Sequence, residues 1–267
     1  MEEKKEIIIE LRDIHKSFGE RKVLNGVSLN VYRGETLVIM GGSGCGKSTC
    51  LRHMTGAITP DTGEVFMKGK NLAELTEDGM DALRKKFGLL FQSGALLDSL
   101  DVKENVCMPL REHTKLDENI INIMVKMKLE LVGLRGFEHL MPAQLSGGMK
   151  KRVGLARAIA MDPEIIFYDE PTAGLDPIVA GVIDKLILDL SKKLNITSVV
   201  VTHDMNSVFR IADRIAMLHE GRILQVGTRE EFRSAKNDMV KQFVNGEPEG
   251  PINFFKSGSG YLEELTK

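Results

Sequence analysis

The chain has 267 residues, a formal charge of −2 and 42 % hydrophobic residues, enough for a sizeable core in one large domain or two small ones. The near-balanced charge gives no global attraction to nucleic acid or acidic lipid. No apolar run approaches the roughly 20 residues that span a bilayer, the opening "MEEKKEIIIE" lacks the apolar stretch of a secretory signal, and Cys45, Cys50 and Cys107 have no metal-ligand spacing, which fits a reducing compartment.

In chain order, "IIIELRDI" and "NGVSLNV" alternate like strands of a small sheet. The bounded apolar run "TLVIM", Thr36 to Met40, has the pattern of a buried strand. It leads into "GGSGCGKSTC", where Gly41, Gly46, Lys47 and Ser48 match G-x-x-x-x-G-K-[ST]. In that motif the loop's backbone N–H groups, here from Gly41, Gly42, Ser43, Gly44, Cys45 and Gly46 on to Thr49, surround phosphates. The following helix N-terminus adds positive charge, Lys47 reaches the β- and γ-phosphates, and the Ser48 hydroxyl ligates Mg²⁺. Cys45 reads as a variable position of this loop, and "KNLAELTEDGMDALRKK" as a solvated helical face.

From Gln92 to Pro163 the pattern turns helical. Asp117 is placed to cap a helix in which Ile120, Ile123, Met124, Met127 and Leu131 recur at helical spacing, a stripe expected to face the core. "QLSGGMKKRVGLARAIAMDP" sets Ser146, Gly147 and Gly148 at a second helix N-terminus, a second candidate anion site. In "EIIFYDEPTAGLDP" a buried strand ends in Asp169, placed to hold Mg²⁺, and Glu170, placed to polarise an attacking water. Asp176 and Pro177 form an N-cap and first-turn pair for a helix running to Leu194. "TSVVVTHD" is another buried strand, ending in His203, and "RIAMLHEGRILQVGT" reads as two strands joined at Glu220-Gly221. The remaining histidines, His15, His53, His113, His139 and His219, read as surface or locally hydrogen-bonded groups. After Phe243 a tail rich in Gly, Pro and Ser is expected to leave the core.

These residues, in this order, resemble the nucleotide-binding subunit of an ATP-binding cassette (ABC) transporter from about Ile7 to Phe243. The resemblance implies an α/β fold: a P-loop NTPase core, 1–92 and 159–243, with a small antiparallel β subdomain, an α-helical signature subdomain at 93–158, and a C-terminal extension at 244–267. It identifies "LSGGM" as the signature loop, "AGLDP" with Asp176 as the D-loop, His203 as the switch histidine, Gln92 as the Q-loop glutamine that also approaches the metal, and Phe18 as the aromatic that stacks on adenine. It further implies a head-to-tail homodimer in which Ser146, Gly147, Gly148 and Met149 of one copy close over ATP and Mg²⁺ held by Gly41 to Thr49 of the other. Where the commonest signature has glutamine this chain has Met149; the phosphate contacts come from Ser146 and backbone N–H groups, so hydrolysis is expected to survive.

"LSGGM", "FQSGALLDSLDVKENVCMPLREHTKL" and "FVNGEPEGPINFF" are similar to stretches in ATPases of the Mla and MCE lipid-transport systems. That similarity implies a peripheral subunit on the cytoplasmic face of the inner membrane. There it drives phospholipid transfer between that membrane and a periplasmic carrier, in maintenance of outer-membrane lipid asymmetry. Its partners are a membrane permease and small regulatory and periplasmic lipid-binding subunits, with no nucleic acid. The alternatives are a small-solute importer ATPase, or a soluble ABC protein, which usually carries a long coiled-coil insertion or two cassettes. Glu170 and His203 together disfavour a non-hydrolysing sensor.

Overall fold

The computed structural model describes residues 5–252. Strands β1 (Ile7–Phe18) and β2 (Arg21–Tyr32) form a long antiparallel hairpin, and β3 is Thr36–Met40. β4 (Thr62–Met67) and β5 (Lys70–Asn71) complete a four-stranded antiparallel sheet in the order β2-β1-β4-β5. β3 instead belongs to a second sheet with β6 (Phe87–Leu90), β7 (Ile165–Asp169), β8 (Thr197–Thr202), β9 (Arg214–His219) and β10 (Arg222–Gly227), in the order β10-β9-β3-β8-β7-β6. Its strands run parallel except β10, which returns antiparallel beside β9.

Parallel strands buried on both faces should read as continuous apolar runs, and β3, β7 and β8 do. Their side chains alternate between two cores. Leu37, Ile39, Ile165, Phe167, Val199 and Val201 face the β-hairpin and α1 (Lys47–Met54). Val38, Met40, Ile166, Tyr168 and Val200 face the other way, toward the remaining helices. α2 (Glu77–Arg84) lies over β6 and is capped by Thr76, whose hydroxyl accepts from Gly79 N. α3 (Val102–His113), α4 (Glu118–Leu131) and α5 (Gly147–Ala158) form the helical region. α6 (Pro177–Leu194), α7 (Met205–Ile211), α8 (Arg229–Arg233) and α9 (Asp238–Asn245) complete the chain. No helix among the described residues is long and apolar enough to cross a membrane.

Two expectations are corrected. Asp117 caps α4 through its side chain, but the stripe Ile120, Ile123, Met127 and Leu131 is exposed, with Met124 half-buried beside it. The face that meets the core is Ile121, Val125 and Leu129, roughly 150° around the helix from that stripe at 100° per residue. α4 is apolar on two faces, and periodicity alone does not say which one packs. The chain also does not leave the core after Phe243. α9 continues to Asn245, Gly246 ends it at φ 68°, and Ile252 folds back into the core. Buried Gln242 holds Ile252 as a strand neighbour would: its Oε1 accepts from Ile252 N at 2.7 Å and its Nε2 donates to Ile252 O at 3.0 Å. The rest of the tail, 253–267, lies outside the described residues.

Candidate nucleotide site

The phosphate-loop motif joins β3 to α1 at the carboxyl edge of the parallel strands, where open α/β sheets bind ligands. The loop's shape demands glycine at two positions. Gly41 has φ 154°, and a Cβ there would lie 2.1 Å from the Leu218 carbonyl oxygen. Gly46 caps α1 at φ 109°, where a Cβ would lie 2.8 Å from both Val23 O and Leu24 Cδ2. Lys47 is buried, and its Nζ donates to the carbonyls of Gly41 at 2.8 Å and Gly42 at 3.0 Å, bracing the loop from within.

Beside the loop, Ser48 Oγ donates to Asp169 Oδ1 at 2.9 Å, joining the first turn of α1 to the end of β7. Glu170 follows with left-handed backbone, φ 49°, uncommon for a non-glycine residue. Its Oε1 lies 2.9 Å from His203 Nδ1, just past the end of β8, and its other oxygen is buried without a protein partner. The exposed His203 ring and the buried Glu170 carboxylate thus face a shared cleft from adjacent strands.

That cleft, about 390 Å³, is lined by Phe18, Ser43, Gly44, Gly46, Lys47, Ser48, Thr49, Gln92, Glu170 and His203 among others. Phe18 stands at the hairpin end, 51 % exposed, its ring 5.8 Å from Lys16 Nζ. Gly42 and Cys45 line the adjoining hollow instead, with the Cys45 thiol turned toward Gly41, and burial raises that thiol's pKa. Ser146, Gly147, Gly148, Met149 and Asp176 line neither space. Ser146 caps α5, its Oγ accepting from Met149 N at 3.3 Å, and Asp176 caps α6 by accepting from Ile178 N and Val179 N, each at 3.0 Å. These two helix starts abut, since a Cβ at Gly148 would lie 2.5 Å from Val179 Cγ1. Met149 packs its side chain against the core, leaving the serine and backbone groups as the polar face of the loop.

Sequence reasoning missed two basic residues. Arg21, across the hairpin turn from Phe18, lines the cleft and donates to Gly44 O at 3.1 Å. Lys151 is buried behind it, donating to the carbonyls of Gln92 and, at 3.0 Å, Glu170. Burial pulls the Lys151 pKa down, while the carboxylates of Glu170 and Asp169 oppose that shift. The charge cluster "MKKR" offered a signal, but spacing did not tell which of its cations turns inward.

Comparison with known proteins agrees with this geometry. The chain is 43 % identical over 258 residues, 97 % of its length and 98 % of the relative's, to the intermembrane phospholipid transport system ATP-binding protein MlaF of Haemophilus influenzae. It is 44 % identical to the chloroplastic protein TRIGALACTOSYLDIACYLGLYCEROL 3 of Arabidopsis thaliana, covering 95 % of this chain and 78 % of that one. The solved dimer of the ATP-binding cassette MJ0796, in a post-hydrolysis state bound to ADP and Pi, superposes with a TM-score of 0.76 at 33 % identity, over 83 % of this chain and 98 % of that one. The sequence model of the family described as ABC transporter matches residues 24–173, more than half the chain, and the chain belongs to that family.

Proposed function

We propose that this ABC ATPase hydrolyses ATP to drive phospholipid transport through a membrane permease, as a peripheral subunit on the cytoplasmic face of the inner membrane. The observation that carries the reading is the convergence of Lys47, Ser48 and the Glu170–His203 pair on one cleft, with Asp169 bonded to Ser48 at its edge. The phospholipid assignment is supported by near full-length similarity to the MlaF proteins.

Each residue takes a distinct task. Phe18 offers its exposed ring to the adenine, and Arg21 and the backbone N–H groups from Gly41 to Thr49 hold the phosphates. Ser48, Asp169 and Gln92 are a set of hard oxygen donors that suits Mg²⁺, with the first two already in contact at 2.9 Å. When bound, that ion neutralises charge on the β- and γ-phosphate oxygens. Glu170 accepts a proton from, and orients, the attacking water, while His203 steadies the Glu170 carboxylate and senses the γ-phosphate. Ser146 to Met149 and Asp176 sit apart from the cleft of their own chain. They complete the cleft of a second copy in a head-to-tail homodimer, and the solved cassette MJ0796 is likewise dimeric.

Coupling to the permease runs through the segment after Gln92. Val102 and Val106 are core residues, but Leu97, Met108 and Phe91 remain exposed along a groove of about 370 Å³ between β6 and α3. This groove receives a cytoplasmic helix of the permease, and movement at Gln92 passes to it as rigid-body rotation.

The test is reconstitution of the chain with its permease in vesicles carrying labelled phospholipid. ATP-dependent lipid movement that Glu170→Gln abolishes is the expected result. ATP-driven uptake of a small solute without lipid movement would overturn the lipid assignment.

A further inference from the structure

We infer that Lys151 is a positioning residue for hydrolysis: a buried ammonium strut that ties the signature helix α5 to the backbone of Gln92 and of Glu170. The inference rests on the proposed role of Glu170 as the group that orients the attacking water.

The placement is specific. Lys151 lies one turn into α5 from Ser146 and is 4 % exposed. An ammonium buried to that extent requires partners for its three donors. It finds the Gln92 carbonyl on one side and the Glu170 carbonyl, 3.0 Å away, on the other. Both accepting residues also contribute side chains to the nucleotide cleft. A second cation from the same helix reinforces the attachment, since Arg157 Nη2 donates to Gly94 O at 2.9 Å.

The Glu170 carbonyl is where such a strut matters most. A non-glycine residue in left-handed backbone persists only when its surroundings hold it there. Glu170 N donates to Val201 O at 2.9 Å, and its carbonyl accepts from Ala173 N at a long 3.3 Å and from Lys151. Without Lys151 the carbonyl side keeps only the longer bond. The peptide is then held less firmly, and the carboxylate loses its exact aim toward His203. Because the same ammonium holds Gln92 O, displacement of either cleft residue also pulls directly on the helix that begins with Ser146.

The test uses Lys151→Met in the assembled transporter. The expected result is a fall in kcat of about 10- to 100-fold, the range a misplacement of about 1 Å produces, with KM for ATP unchanged within about twofold. A merely structural role is separated by the double variant. In a Glu170→Gln background, measured by single turnover, Lys151→Met should cause a much smaller loss than in the wild-type background, because the strut acts chiefly through a group already disabled. An unchanged kcat in Lys151→Met, or a full independent loss in the double variant, would overturn the inference. Should Lys151→Met not fold, Lys151→Gln, one bond too short to reach both carbonyls, is expected to give the same split, and wild-type kcat in it would equally overturn the strut. If Glu170→Gln itself turns over at the wild-type rate, the reading of Glu170 fails. If that variant is inactive while Lys151→Met is fully active, only the strut fails.

Discussion

His203 Nδ1 lies 2.9 Å from Glu170 Oε1, joining the ends of two neighbouring parallel strands across the mouth of the nucleotide cleft. The second Glu170 oxygen is buried without a protein partner, so the imidazole is the side chain that fixes the carboxylate's direction. His203→Ala is therefore expected to lower ATPase activity about 100-fold, within the range for a displaced general base. Nucleotide affinity should change only a few-fold. Steady-state hydrolysis and equilibrium binding of a fluorescent ATP analogue check this.

Ser48 Oγ and Asp169 Oδ1 lie 2.9 Å apart, and both residues are oxygen donors. Asp169→Asn keeps the shape but removes a charge. The dependence of ATPase activity on Mg²⁺ concentration should move about tenfold or more to higher concentration, while binding of nucleotide measured in EDTA stays close to wild type.

Leu97 is exposed on the groove that faces the permease in the proposed assembly, whereas Leu96 packs against the core. Leu97→Gln should weaken docking by about 1–2 kcal/mol, as loss of an apolar anchor does. ATP hydrolysis by the isolated subunit should persist while lipid movement per ATP in the complex falls.

The same loop depends on Asn105, which is fully buried. Its Oδ1 accepts from Leu97 N at 2.8 Å, and its Nδ2 donates to the carbonyls of Leu97, Leu100 and Asp101. Asn105→Ala strands these backbone groups, and a loss of about 1–3 kcal/mol is expected by urea unfolding.

Asp184 gives a pH signature. It is buried beneath α7, receives bonds from Ser207 and Arg210, and burial raises its pKa above 3.8, with Asp204 adding to the rise. The folded state therefore holds this proton more tightly than the unfolded state. The contribution of Asp184 is fully present below 3.8 and is lost as pH rises through its higher folded value. Asp184→Asn should remove that part of the pH dependence of the unfolding midpoint, in the window between 3.8 and the raised folded value, and leave the rest of the profile in place.

Much of this was legible in the sequence where local chemistry is self-contained. The phosphate loop announces itself because its backbone needs glycine at 41 and 46, and Asp176 with Pro177 marks the start of α6 to the residue. β3, β7 and β8 were readable because strands buried on both faces carry no competing pattern. What failed involved a choice among partners. α4 has two apolar faces, and only tertiary packing selects Ile121, Val125 and Leu129 for the core. The segment beyond Phe243 looked like a departing tail because glycine and proline dominate it, and the one glutamine that brings Ile252 back carries no periodic signal. Lys151 was hidden for a similar reason, since a lysine among lysines reads as solvated until burial is known.

Left-handed backbone at position 170 also shapes how this chain can lose its activity. A residue with a Cβ is held there against a preference of about 1 kcal/mol or more, which glycine does not have. Random substitution by glycine at this position would thus sacrifice hydrolysis while relaxing the fold, the reverse of the usual case in which a damaging change also destabilises. An inactive Glu170→Gly chain should fold well, persist, bind ATP and occupy its place in the complex. Such a subunit poisons an assembly instead of disappearing from it. Mixed with wild-type copies, it would suppress activity beyond its own share of the population.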